Sequence, residues 1–366
     1  MKEPDPIRGA QPERSRPRAL GTDRRTFLTG LAAVGLAGRT LLRTGDAGAA
    51  RYAAEKATGR PDRLGTPDRR PLGRTGFEGS RLVFGCGAAL SRKRRDDLLE
   101  AALDAGINVF DNGTRRYYHD AEVNLAPFLA RHRSKRDEIF LISKAMTYVD
   151  VGPDDAITPA QAREGAATWT GLMEQSLREL GVDHVDAYYV MASHNPELVK
   201  SEEMRRAFEV ARDAGKVRYW GLSTHQNAQR VLEAAMETGA YHLAQIAITP
   251  AGWYDWADRN ILPGSATLQD LRPFLDRVRA SGIGLIGMKA GRYLAGRKFL
   301  GWGQPTAFDE HYGKEFLESG LSPFQRSYAY VLAHGLDAVN ADMQSFGHLE
   351  ENLVAAGAAT AKISFA

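Results

Sequence analysis

From residue 82 onward, short apolar runs alternate with longer amphipathic segments. The runs are LVFGC (82–86), INVF (107–110), EIFLIS (138–143), VDAYYV (185–190), VRYWGL (217–222), HLAQIAI (242–248), IGLIGM (283–288) and LDAVNA (336–341). Each is nearly continuous in apolar residues, the pattern of a strand covered on both faces of a parallel sheet. After each comes a segment whose apolar residues recur every three or four positions, such as DDLLEAALDAG, TGLMEQSLRELG, EEMRRAFEVARDAG and NAQRVLEAAMETG. That spacing predicts helices. Gly106, Gly181, Gly215, Gly239, Gly282 and Gly335 stand where those helices should stop. Eight strand–helix units predict a closed (β/α)8 TIM barrel. A doubly wound open sheet is the competitor, but no G-x-G-x-x-G follows the first strand. RPLGRTGFEG, ahead of that strand, predicts an N-terminal β-hairpin closing the bottom of the barrel.

Composition changes this picture little. The 366 residues are 43% hydrophobic and 25% charged, as in an ordinary globular protein. The net charge of +3 owes much to arginines in residues 1–74, in runs such as ERSRPR and PDRRPLGR, so no nucleic-acid surface is expected on the body. The single cysteine, Cys86, rules out a disulfide framework and a zinc site, and its setting in VFGCG predicts a buried thiol. No metal is expected.

The N-terminal segment has its own logic. TDRRTFLTG (22–30) leads into the weakly apolar LAAVGLAG, and Ala47-Gly48-Ala49 fits a cleavage site. This order resembles a twin-arginine export signal. It implies a signal peptide over residues 1–49, a linker over 50–70 and the barrel over 71–366. The expected partner in export is the twin-arginine translocase, and the destination is periplasmic or extracellular. The apolar run is too short to span a bilayer, so no stable membrane span is expected after cleavage. The route carries proteins that are already folded, often with a cofactor in place.

In such a barrel the chemistry sits at the C-terminal strand ends. Asp111 follows the second strand, Lys144 the third, and His194 lies just past the fourth. Ser223 ends the fifth strand, and Met288 and Lys289 end the seventh. Behind the acid, in GINVFDNGTRRYYHD, come two phenols, Tyr117 and Tyr118.

With these motifs in order, the body resembles the aldo-keto reductases over residues 70–355. RPLGRTGFEGSRLVFGCG, LLEAALDAGINVFD, SLRELGVDHVDAYYV, GKVRYWGLST and HLEENL carry the resemblance. It implies an NAD(P)H-dependent oxidoreductase acting on a small-molecule carbonyl or alcohol. The family's four catalytic residues are Asp, Tyr, Lys and His. The Tyr donates a proton to the carbonyl oxygen, and a Lys paired with the Asp lowers the Tyr pKa. By this resemblance the catalytic set is Asp111, Tyr118, Lys144 and His194, with Tyr117 the alternative to Tyr118. The Tyr118 hydroxyl is then expected at roughly 3–4 Å from the Lys144 amine. The family's histidine position falls on Met191, so His194 would serve only if its loop bends inward.

Ser223, with Thr224 in place of the usual Asn, and Gln245 match the residues that hold the nicotinamide carboxamide. Met288 stands where an aromatic often stacks on the ring, with Lys289 beside it. Glu351 and Asn352 match the adenine-contacting pair. Asp342 and His348 fall where the family's phosphate-binding Lys and Arg would be, which predicts weak discrimination between NADP and NAD, or a preference for NAD. No cysteine cluster follows the last helix, so no iron–sulfur cluster is expected. Trp253, Tyr254, Trp256, Tyr293 and Trp302, in the long loops after the sixth and seventh strands, are candidates to roof a substrate pocket. The competing reading is a degenerate, non-catalytic barrel that binds a ligand or partner.

Overall fold

The computed structural model describes residues 66–295 and 303–358. The signal-like segment of residues 1–49, residues 50–65 of the linker, and Trp302 lie outside them. The chain enters through an antiparallel hairpin, β1 (Arg69–Pro71) and β2 (Glu78–Ser80), which starts within the segment read as linker.

The barrel strands follow in turn. They are β3 (Leu82–Gly85), β4 (Val109–Asp111), β5 (Phe140–Ala145), β6 (Val185–Val190), β7 (Val217–Thr224) and β8 (Leu243–Thr249). A small antiparallel extension, β9 (Gly252–Asp255) and β10 (Asn260–Ile261), precedes β11 (Gly284–Met288) and β12 (Ala338–Asp342). Strands β3 to β8 pair in sequence order, β8 pairs with β11, β11 with β12, and β12 with β3, all in parallel. The ring is therefore closed, and the open sheet is excluded.

Helices stand between the strands as the spacing predicts, and the glycines at their ends adopt the left-handed conformation, with φ of 65° at Gly181 and 60° at Gly239. One helix is longer than expected. Pro159–Leu180 starts well before TGLMEQSLRELG, with a capping box between Thr158 and Gln161. Ahead of the buried Trp169 it buries only Ala162, Gly165 and Ala166, small residues that leave a faint hydrophobic signal.

Alternation along the strands builds two cores. Phe84, Phe110, Leu141 and Tyr188 face the helices. Val83, Val109, Ile142, Leu243, Ile286 and Ala338 fill the barrel, and Leu72 of the hairpin packs with them. Two residues further along each of these six strands come Gly85, Asp111, Lys144, Gln245, Met288 and Asn340. Period two points them into the barrel as well, now at its C-terminal mouth. Cys86 is buried, as its sequence setting predicts.

Candidate active site

Asp111 is the centre of this layer. Both of its carboxylate oxygens accept hydrogen bonds from Lys144 Nζ, each at 2.6 Å. The pair is dry, with side-chain exposures of 5% and 4%. Asn340 Nδ2 also donates to Asp111, and so does Gln245 Nε2 at 3.3 Å. A buried ion pair compensates its desolvation only when further hydrogen bonds complete it, and these two amides do so. Asn340 escaped the sequence reading. Its signal was available, since it shares the inward parity of Ala338 on the last strand. Gly85, paired with Asp342, makes room for it, because a Cβ there would meet Asn340 Oδ1 at 2.6 Å.

Tyr118 lies on a short helix, Arg115–Tyr118, directly behind Asp111. Its ring is half-buried, with Lys144 Nζ at 5.5 Å from the ring centroid. Two glycines make its seat: a Cβ on Gly87 would meet the ring at 2.4 Å, and one on Gly113 at 2.7 Å. Tyr117 is 37% exposed and packs edge-on against Tyr118 at 4.8 Å. Tyr118 is thus the phenol beside the ion pair. Two features differ from the sequence expectation. No hydrogen bond joins the Tyr118 hydroxyl to Lys144 among the described residues, because Asp111 holds the amine by both oxygens. The hydroxyl pKa is pushed well above the phenol range rather than lowered, first by burial, then by Asp111 and Tyr117.

His194 does not present a free nitrogen to the mouth. Nδ1 lies 3.0 Å from the Ala192 carbonyl and Nε2 2.7 Å from that of Val151. The loop does not bend inward as a catalytic role required. Instead, Asn195 caps the next short helix and bonds the Gly152 and Asp155 carbonyls, which fixes the turn. Met191, at the family's histidine position, is buried. The imidazole at the mouth is His225, which follows β7 and which the sequence reading passed over. Burial, with Lys289 and Lys144 nearby, drops its pKa to about 3, so the ring is neutral at physiological pH.

The residues assigned to a nicotinamide cofactor divide. Ser223 and Gln245 are paired neighbours on β7 and β8, both buried. Gln245 gives its amide N–H to Asp111, while its Oε1 is buried with no partner. A buried acceptor beside a serine hydroxyl suits the carboxamide that the resemblance implies, so these residues fit the group. Thr224 is turned away, its hydroxyl donating to the Gln226 carbonyl. Met288 packs with Ala247 and Tyr254, alongside Trp256 and Tyr293. Lys289 stands over Trp256. Glu351 accepts from the Ser322 hydroxyl at 2.5 Å, which ties it to the helix Pro323–Ala333, and Asn352 is buried. Asp342 accepts from Gln344, and His348 is exposed. A recess of about 580 Å³, lined by Phe77, Asn108 and Ile139 among others, opens at the hairpin end, away from these groups.

The model of the Aldo/keto reductase family matches residues 77–263. The chain is 31% identical over 169 residues to a protein of Oryza sativa subsp. japonica described as a voltage-gated potassium channel subunit beta, covering 44% of this chain and 48% of that one. It is 28% identical over 153 residues to 6-dehydroglucose reductase of Agrobacterium fabrum, covering 40% and 50%. The chain thus spans about half the length of these curated relatives. A solved aldo-keto reductase structure from Pseudomonas aeruginosa matches with a TM-score of 0.53 at 22% identity, over 80% of this chain and 97% of that one. That likeness is one of fold.

Proposed function

The chain belongs to the aldo/keto reductase family, and from that premise we propose an exported, nicotinamide-dependent oxidoreductase that reduces an aldehyde or ketone, with Tyr118 as proton donor. The observation that carries the reading is the buried Asp111–Lys144 pair, braced by Asn340 and Gln245, with the Tyr118 ring beside it. The 6-dehydroglucose reductase among the relatives supports a carbonyl substrate.

In the reduction the carbonyl carbon gains a hydride and its oxygen gains a proton. The nicotinamide, when bound, supplies the hydride. Ser223 and the unpartnered Oε1 of Gln245 would hold its carboxamide. Tyr118 gives its proton to the carbonyl oxygen, which is becoming an alkoxide, a far stronger base than phenolate. The raised pKa of Tyr118 therefore does not bar the transfer. Lys144 stabilises the phenolate left behind, and Asp111 fixes the lysine in place.

The test is to titrate NADH and NADPH by fluorescence quenching, then follow reduction of 4-nitrobenzaldehyde. Tyr118→Phe should lower kcat by about 10²–10⁴-fold while leaving cofactor affinity nearly intact. Wild-type turnover in that variant would remove Tyr118 from the mechanism. The same titrations read cofactor preference. Asp342 and His348 offer no pair of cations for a 2′-phosphate, and each such bond is worth about 1.5–3 kcal/mol. NADH should bind at least as well as NADPH; a hundredfold preference for NADPH would mean that another cation serves. The second reading, a non-catalytic barrel, is favoured by Met191 and by the engaged ring of His194. Absence of quenching by either cofactor would select it.

A further inference from the structure

Three neighbouring barrel strands, β7, β8 and β11, lead at the mouth into groups that the reaction above leaves unused. His225 follows β7, Trp256 follows the β9 extension of β8, and Lys289 follows β11. Lys289 Nζ stands 4.1 Å from the Trp256 ring centroid, and the His225 ring 6.1 Å from it. The guanidinium carbons of Arg259 and Arg292 lie 5.7 and 5.9 Å from the same indole. Beside them is an apolar wall of Tyr254, Ile261, Met288 and Tyr293.

Lys289 is the unusual member. Among the described residues its amine has no carboxylate or hydrogen-bond partner, only the indole face. A half-buried cation gains from an aromatic face, but less than from an anion that neutralises it. Its backbone is left-handed, with φ 66°, although it carries a full side chain. Strain of this kind persists where the surrounding structure fixes the direction of a side chain, and it clusters at ligand sites. Burial first, then repulsion from Arg292 and Lys144, lowers its pKa to about 8, against the pull of Asp342 and Asp111.

We propose that Lys289, His225 and the Trp256 wall form a subsite for a carboxylate carried by the substrate, so that the reaction acts on an apolar or aromatic carbonyl compound bearing an acid group. The ammonium takes the carboxylate, an imidazole N–H donates a second bond, and the wall takes the apolar body. The assignment rests on the oxidoreductase reading of the same mouth. The sequence resemblance gave Lys289 to the cofactor instead, beside Met288; the anionic groups that a cofactor could offer it are phosphates. The surroundings favour the substrate. The wall beside Lys289 is apolar, built of Tyr254, Ile261, Met288 and Tyr293, which suits the body of a substrate better than a phosphate chain.

The experiment is calorimetric titration of the purified full-length protein with benzoate and, separately, with inorganic pyrophosphate. Wild type should bind benzoate, and Lys289→Met should weaken it by about tenfold or more, while Lys289→Arg keeps most of the affinity. A second measurement uses the unmutated protein. Arg292, Lys144, Asp342, Asp111 and His225 face Lys289, and His225, with its pKa near 3, is neutral throughout the window. Deprotonation of Lys289 should therefore weaken benzoate binding by up to about tenfold per pH unit above the pKa of the free amine, about 8, levelling off above the higher pKa of the complex. No benzoate binding, equal binding by Lys289→Met, a flat profile from about pH 7 to 11, or a larger loss for pyrophosphate than for benzoate would each overturn the proposal. Benzoate binding is read without turnover, so failure to reduce a carbonyl is a separate result.

Discussion

Glu122 sits behind Lys144 with no exposed surface. Oε1 accepts a hydrogen bond from Ser143 at 2.6 Å, and Oε2 has no partner. Burial raises its pKa to about 7, partly offset by Ser143 and Ser176, with Glu179 adding repulsion. The folded state therefore holds a proton that the unfolded chain releases near its ordinary value of 4.5. Stability from this group is full below about pH 4.5, falls as pH rises to about 7, and is constant above that. A shift of this size corresponds to roughly 3 kcal/mol. Glu122→Gln keeps an acceptor for Ser143 and cannot ionise. Its stability relative to wild type should rise by up to that amount between pH 4.5 and 8, measured by urea denaturation. A constant difference across the range would mean that Glu122 is ionised throughout.

At the scale of elements, ring closure depends on more than the β12–β3 ladder. Arg81 joins the hairpin to β3 and is 1% exposed. Its guanidinium donates to the carbonyls of Leu332 at 2.5 Å, Leu336 at 3.1 Å and Asp337 at 3.3 Å. These carbonyls lie at the end of the helix Pro323–Ala333 and in the turn leading into β12. One side chain thus fastens the first barrel strand to the approach of the last. Arg81→Met leaves the carbonyls without their donor in a buried place, and should cost about 3 kcal/mol or more in urea denaturation. A loss under about 1 kcal/mol would show that the strand ladder alone holds the closure.

Across the whole molecule, the candidate site exists only in the closed barrel. Asp111, Lys144, Ser223, Gln245 and Asn340 come from five different strands. A cofactor held by such a site can be loaded only after folding, which suits an export route that carries folded cargo. The motif TDRRTFLTG supplies the test. Residues 1–60 fused to a folded reporter should direct its export, and replacing Arg24 and Arg25 with Lys should abolish it. Unchanged export of the double variant would sink the twin-arginine assignment.

The sequence by itself determined the eight strands and their helices, because apolar runs and helical spacing are local patterns. It put Asp111 and Lys144 at strand ends because each directly follows an apolar run, INVF and EIFLIS; that both point inward was visible only once the inner core was assembled. Tertiary structure alone decided which groups meet. Asn340 and Gln245 reach Asp111 across 229 and 134 residues of chain, and only ring closure brings them there. Tyr118 rather than Tyr117 turned toward the ion pair because Gly87 and Gly113 leave space for its ring. His194 turned onto backbone carbonyls because the Val151 loop needed a donor there. Lys289 acquired an indole in place of a counter-ion because an extension of a neighbouring strand carried Trp256 over it. Residue type and spacing fix what a side chain can do, but its desolvation and its partners are properties of the assembled ring.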